Sequence, residues 1–192
     1  MIENIISQYK LSPHPEGGYY KETYRSEGII PAAGLAERFS GARNFSTAIY
    51  FLLLKNSFSA FHRIKSDECW HFYEGDSLHV HVLHLNGSYE LIRLGKNREE
   101  GEVYQAIVPA GAWFASETRG EYSFVGCTVA PGFDFRDFEL AFAAELISEY
   151  PESGMGYQVV DIILSNGQIL KDRQVINSTY LILLENEYFT TH

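Results

Sequence analysis

His62 and Glu68 stand six residues apart on either side of a polar bend, in the run Phe61-His62-Arg63-Ile64-Lys65-Ser66-Asp67-Glu68. Side chains alternate along a strand, so Ala60, His62 and Ile64 share one face, and Glu68, Trp70 and Phe72 share another. If both faces point into a barrel, His62 and Glu68 look at each other across its mouth. A His and a Glu so placed can act as an acid/base pair or as two ligands of a metal ion. Two ligands are fewer than the three or more that protein metal sites usually supply. A hydrogen-bonded pair in a polar cavity, without chemistry, is the plain alternative. His71, Cys69 and Tyr73 are expected to face away.

Two further groups carry chemical potential. His14-Pro15-Glu16-Gly17-Gly18-Tyr19 sets ionisable groups beside paired glycines, which allow a sharp turn or a close approach to a ligand. The strand beyond places Tyr20, Glu22 and Tyr24 on one face and Tyr19, Lys21, Thr23 and Arg25 on the other. Arg25 is a candidate clamp for an anionic group, because a guanidinium holds oxygens bidentately; surface ion pairing is the alternative. Tyr19 or Tyr20 is a candidate proton donor. His79 and His81 share a strand face at i, i+2, a spacing that can clasp a metal but also suits the solvent side of a half-exposed strand. Hydrolase-elbow, P-loop and dinucleotide motifs are absent.

The elements that must position these residues are mostly strands. Ile2, Ile5, Ile6 and Tyr9 predict a short amphipathic helix, ended by Ser12-Pro13-His14-Pro15. A strand follows over 19–24, then a loop over 28–44. Strands are predicted at 47–54, 58–64, 68–73, 78–85, 89–94, 103–108, 112–116 and 122–130, a spacing that suits a sandwich or barrel. Asn86-Gly87 marks a hairpin turn. Asp134 is expected to open a helix with the stripe Phe135, Phe138, Phe142 and Leu146. After the break at Pro151-Glu152-Ser153-Gly154, strands are predicted at 157–164, 168–176 and 179–185, with a turn at Asn166-Gly167. This tail is expected to dock on the body or to form a dimer.

The 192 residues suit one domain with a small appendage. A formal net charge of −10 argues against a nucleic-acid partner. Thirteen Tyr and thirteen Phe suit strands and a pocket lined with rings. Cys69 and Cys127 are expected as reduced thiols in apolar strands. With no basic leader and no span-length apolar run, a cytoplasmic protein without a membrane partner is expected.

The ordered phrases resemble one family. They are Leu11-Ser12-Pro13-His14-Pro15-Glu16-Gly17-Gly18-Tyr19, Glu22-Thr23-Tyr24-Arg25-Ser26, Ser46-Thr47-Ala48-Ile49-Tyr50-Phe51-Leu52-Leu53, Phe61-His62-Arg63, Asp67-Glu68-Cys69-Trp70-His71-Phe72, Gly75-Asp76, Val108-Pro109-Ala110-Gly111-Ala112-Trp113 and Val129-Ala130-Pro131-Gly132-Phe133. In that order they are similar to the cupin_5 family, formerly domain of unknown function 985, over residues 1–150; residues 155–192 lie outside as a small β extension.

The resemblance implies an all-β double-stranded β-helix (a cupin jelly-roll barrel), to which the residue patterns add a short N-terminal helix, a helix after the barrel and a small C-terminal β extension. It also implies a homodimer, similar to the sugar-nucleotide epimerase branch of cupins. Against the general cupin pattern, His62 and Glu68 match first-motif ligands. Ile64 stands where a second His would be, and Phe114 where the second-motif His would be. The resemblance therefore implies no tightly held divalent metal, with His62 and Glu68 the residues left to hold one.

The functional expectation is a small-molecule pocket with His62 and Glu68 catalytic, and with Tyr19, Tyr20, Glu22, Arg25, Trp70, Phe72, Trp113 and Phe114 binding the ligand. The reaction expected is a metal-independent isomerisation or epimerisation of a small polar or sugar-nucleotide-like molecule. A non-catalytic binding module is the alternative, and a metal-dependent cupin oxygenase or isomerase the weaker one.

Overall fold

The computed structural model describes residues 2–140 and three strands in the C-terminal part. Helix α1 (Ile2–Tyr9) forms where the apolar spacing predicts it. Its Ile5 packs with Leu11, Leu52, Tyr122 and Phe124 in a small cluster on the outer side of a sheet. Strands β1 (Ser12–Pro13), β2 (Tyr19–Arg25), β3 (Ile29–Ile30), β4 (Arg43–Asn44), β5 (Thr47–Leu54), β6 (Phe58–Arg63), β7 (Asp67–Gly75) and β8 (Leu78–Leu83) follow. Then come β9 (Tyr89–Leu94), β10 (Gln105–Val108), β11 (Trp113–Thr118), β12 (Tyr122–Ala130) and β13 (Glu139–Leu140). All eight strands predicted between 47 and 130 are present, with ends shifted by at most two residues.

A six-stranded sheet, β1-β2-β5-β12-β7-β10, faces a five-stranded one, β13-β6-β11-β8-β9. Every strand pair within them is antiparallel. Alternating side chains of the two inner faces make the main core, with Phe51, Trp70, Phe72, Val80, Val82, Phe114 and Val125 all buried. That is jelly-roll architecture, two antiparallel sheets closed over one core. A separate small pair, β3 and β4, lies in the stretch expected to be a loop.

Residues 134–140 depart from the expected helix. Asp134 does cap a turn, accepting from Arg136 N–H, but the turn is one 3-10 element at Phe135–Asp137. Phe138 returns to extended geometry, and Glu139 and Leu140 pair with Arg63 and His62 as an edge strand. The open edge of β6 supplies backbone partners that the local 3.6-residue stripe could not anticipate. Phe142, Leu146, the 151–154 break and the 166–167 turn fall outside the described residues.

The C-terminal unit contains β14 (Tyr157–Ile163), β15 (Ile169–Ile176) and β16 (Tyr180–Leu181), an antiparallel three-stranded sheet close to the predicted spans. Among the described residues no helix is long and apolar enough to cross a membrane.

One glycine sets the entry to β2. Gly18 has φ +73°, and a Cβ there would lie 2.8 Å from the Leu52 carbonyl oxygen. Gly18→Ala is therefore expected to cost about 2 kcal/mol, from left-handed geometry plus the forced shift. A urea midpoint unchanged from the parent would contradict this.

Candidate functional site

The inner face of the six-stranded sheet carries its residues in rows, because directly paired residues in antiparallel strands point the same way. One row runs Glu68, Val129, Thr47, Arg25 and the next Trp70, Cys127, Ile49, Glu22. Together with Tyr20, all of these except Trp70 line a cavity of about 320 Å³. Opposite stand His62 and Ile64 from the β6 side. His14 and Glu16 come from the turn before β2, and Phe133, Phe135 and Phe138 from the segment after β12.

Two bulges decide which side chains reach this space. In β2 the register shifts between Glu22 and Tyr24, so that Arg25 rather than Tyr24 pairs with Thr47. The extra residue turns Arg25 onto the face of Tyr20 and Glu22, reversing the simple alternation. In β6 the register shifts so that Phe114 pairs with His62 but Ser116 pairs with Ser59. That shift brings the Ala60 carbonyl to within 2.6 Å of His62 Nδ1 and buries Ser59 beside it.

His62 does not meet Glu68 directly. Its Nε2 lies 3.1 Å from Glu16 Oε2, and the Glu16 segment is tied to β6 by Ala60 N–H donating to the Glu16 carbonyl and by Ser59 Oγ donating to Glu16 Oε1 at 2.8 Å. Both members of the pair are under one-tenth exposed. With Nδ1–H given to a carbonyl, Nε2 presents its lone pair to the carboxyl. Burial lowers His62 to about 3 and raises Glu16 well above the usual carboxylate range, aided by the neighbouring Glu68. The proton therefore sits on Glu16, shared toward His62.

Glu68 is the second buried carboxyl. Burial pushes it up to about 7, opposed by a hydrogen bond from the Cys127 thiol. The Cys127 thiol is itself raised by burial and by that carboxylate, so it stays protonated and donates. His14 accepts the Glu16 backbone N–H at Nδ1, 3.3 Å, and burial lowers it to about 4. Arg25 is largely engaged: Nε and Nη2 hold both oxygens of Glu22 at 3.0 and 2.7 Å, while Nη1 reaches Asn44 Oδ1 and the Phe133 carbonyl.

Several residues expected to bind the ligand lie away from the cavity. Tyr19 turns outward and packs on the α1 cluster, away from the cavity. Trp70 and Phe72 are core residues, and Trp113 lies on the outer face beneath the Arg63 guanidinium. Phe114 is buried behind His62, ring centroids 4.0 Å apart, and does not line the space. Tyr20, Glu22 and Arg25 do line it, with His62 and Glu68. Glu16, Cys127 and the three phenylalanines were not among the expected site residues. Glu16 was visible as an ionisable group beside paired glycines, but nothing local linked it to a strand forty-odd residues away.

His79 and His81 lie on the outer face of β8. His81 is held by the Tyr89 hydroxyl at 2.9 Å and by Glu117 at 3.6 Å. Among the described residues no group of three or more His, Cys, Asp and Glu could hold a metal ion.

The Cupin_5 model of the cupin superfamily, DUF985, matches residues 3–141. The chain belongs to the Cupin_5 family. This Cupin_5 chain is 31% identical over 147 residues to the uncharacterized protein YML079W of Saccharomyces cerevisiae, covering 71% of the chain and 73% of that protein. Its fold is similar to a hypothetical protein from Leishmania major (38% identity, TM-score 0.67, 78% of this chain and 92% of that one). It is equally similar to protein SO0799 of Shewanella oneidensis (38% identity, TM-score 0.65, 78% and 89%). A likeness to oxalate decarboxylase from Bacillus subtilis, at 15% identity and a TM-score of 0.50 over 76% of this chain and 33% of that one, shows the fold alone.

The metal that a general cupin pattern implies does not fit these residues. Ile64 and Phe114 are apolar and buried at two ligand positions, and both ring nitrogens of His62 are already engaged.

Proposed function

We propose that this Cupin_5 chain binds a small polar molecule and moves a proton on it without a metal, in an isomerase- or epimerase-like reaction. The observation that supports this most is the arrangement of Glu16, His62 and Glu68 in one buried cavity, with Glu16 on His62 at 3.1 Å. Such chemistry needs a group that takes a proton and another that gives one. Glu68, raised to about 7, takes a C–H proton as the carboxylate. The Glu16 carboxyl, its proton held toward His62 Nε2, gives one to the opposite atom of the substrate. Two titratable groups set apart by their surroundings are the usual basis of such a division of roles.

Of the two ligand types expected, a small polar molecule fits better than a sugar nucleotide. A diphosphate would face the Glu68 carboxylate, and the Arg25 guanidinium is already paired with Glu22. The non-catalytic reading has one observation in its favour, namely that both nitrogens of His62 are occupied.

A thermal-shift screen of small acids, alcohols, amines, sugars and sugar nucleotides tests binding, since a ligand of the folded state raises its stability. At least one small compound is expected to raise Tm by several degrees and to exchange a C–H proton with solvent deuterium. Glu68→Gln should slow that exchange by about 10²-fold at saturating compound, a loss of rate that weaker binding alone does not produce. A hit that never exchanges leaves the binding module. No hit in any class overturns both readings.

A further inference from the structure

The charge balance of the cavity selects among ligands. Three carboxyl side chains line it, Glu16 carrying a proton and Glu22 and Glu68 supplying the negative charge, against the single guanidinium of Arg25. Four N–H groups of that guanidinium are already used, two of them on Glu22. The two histidines offer no positive charge: His14 Nδ1 accepts a backbone N–H, and His62 Nδ1 faces a carbonyl while Nε2 faces Glu16. Among the described residues lining the cavity, the one cation is already paired with a carboxylate.

The acceptor side is different. Glu68 is more than nine-tenths buried, lines the cavity, and its hydrogen-bonding side-chain partner is the weak thiol donor of Cys127. A carboxylate can take about four hydrogen bonds, and a buried one is costly unless charged or strong donors meet it. The same cavity is lined by a cluster of rings, with Phe133 and Phe135 centroids 5.0 Å apart and Phe138 6.1 Å from Phe135. Aromatic faces attract alkylammonium groups and accept their carbon skeletons. At about 320 Å³ the space lies at the small end of ligand sites.

We propose that the ligand of this cavity is a small organic cation, an alkyl- or cycloalkylammonium group whose N–H donors seat on Glu68 and whose carbon skeleton packs against Phe133 and Phe138. The inference rests on the reading of the cavity as a small-molecule site and adds the charge class of the molecule.

Three probes of one shape and different charge test it: cyclohexylammonium, cyclohexanol and cyclohexanecarboxylate, titrated into the full chain at about pH 8 by calorimetry or ligand-observed NMR. The ammonium is expected to bind at least about ten-fold more tightly than the alcohol, and the carboxylate more weakly than either. Glu68→Gln should bring the ammonium down to the level of the alcohol. Equal or tighter binding of the alcohol or the carboxylate overturns the cation assignment while leaving a small-molecule site in place. If none of the three binds but the wider screen yields an anionic or neutral ligand, the cation assignment again fails alone. If no compound of any charge binds, the small-molecule reading fails with it. The order among the three probes on the parent protein decides the matter even if the variant does not fold.

Discussion

Arg43→Ala is expected to destabilise the folded chain by about 3 kcal/mol, the lower end of the effect of stripping one partner from a buried ion pair. Arg43 and Asp137 are 2% and 6% exposed, and the guanidinium holds both carboxylate oxygens at 2.6 Å. Its remaining nitrogen donates to the carbonyls of Gly41 and Ala42 at 2.9 and 2.8 Å. Removing it leaves the Asp137 carboxylate buried with Lys65 at 3.6 Å as partial compensation, which is why the lower end applies.

The pair also anchors the turn that carries Phe135 and leads to Phe138 over the cavity. A fall in Tm of roughly 6–12 °C is expected for a chain of this size. Replacing both partners by apolar residues should recover much of the loss, because no charge is then left unpaired. A single-variant loss under about 1 kcal/mol would show that the turn holds without the pair.

The second large effect is a pH dependence carried by Glu68. Its carboxyl titrates at about 7 in the folded chain against 4.5 ordinarily, chiefly through burial. Between those values the folded state binds the proton and the unfolded state does not, so stability falls as pH rises through this window. The contribution is greatest below about 4.5 and is lost above about 7, a swing of about 3 kcal/mol.

Other groups titrate over the same range. Glu16 acts in the same direction as Glu68, while the lowered His14, His62 and His79 act oppositely, adding stability as pH rises toward 6.5. The difference between parent and Glu68→Gln reports Glu68 together with the part of the Glu16 shift that Glu68 causes, and leaves the histidines aside. Glu68→Gln should gain on the parent by about 2.5 kcal/mol between pH 5 and pH 8, read by urea unfolding at both. Parallel curves for the two proteins would mean that water or rearrangement relieves the buried carboxyl.

The strand alternation and turn residues of the sequence sufficed to locate the helix at Ile2–Tyr9, the eight strands between 47 and 130 and the three of the C-terminal part, since each is written in a local period of two or of 3.6. The same period put His62 and Glu68 on inward faces. What alternation could not supply was the pairing between strands. One extra residue in β2 moves Arg25 to the cavity face, and one in β6 carries the Ala60 carbonyl to His62.

Ring-rich positions were likewise legible as inward but not as to depth. Trp70, Phe72 and Phe114 fill the core between the sheets, while Phe133, Phe135 and Phe138 line the cavity. The carboxyl that meets His62 comes from a turn forty-six positions earlier, held there by Ser59 and Ala60. The residue types and the barrel are thus properties of the sequence by itself. Which carboxyl shares a proton with which histidine is decided by register and by long-range packing, because those depend on the partner strand and not on the neighbours in the chain.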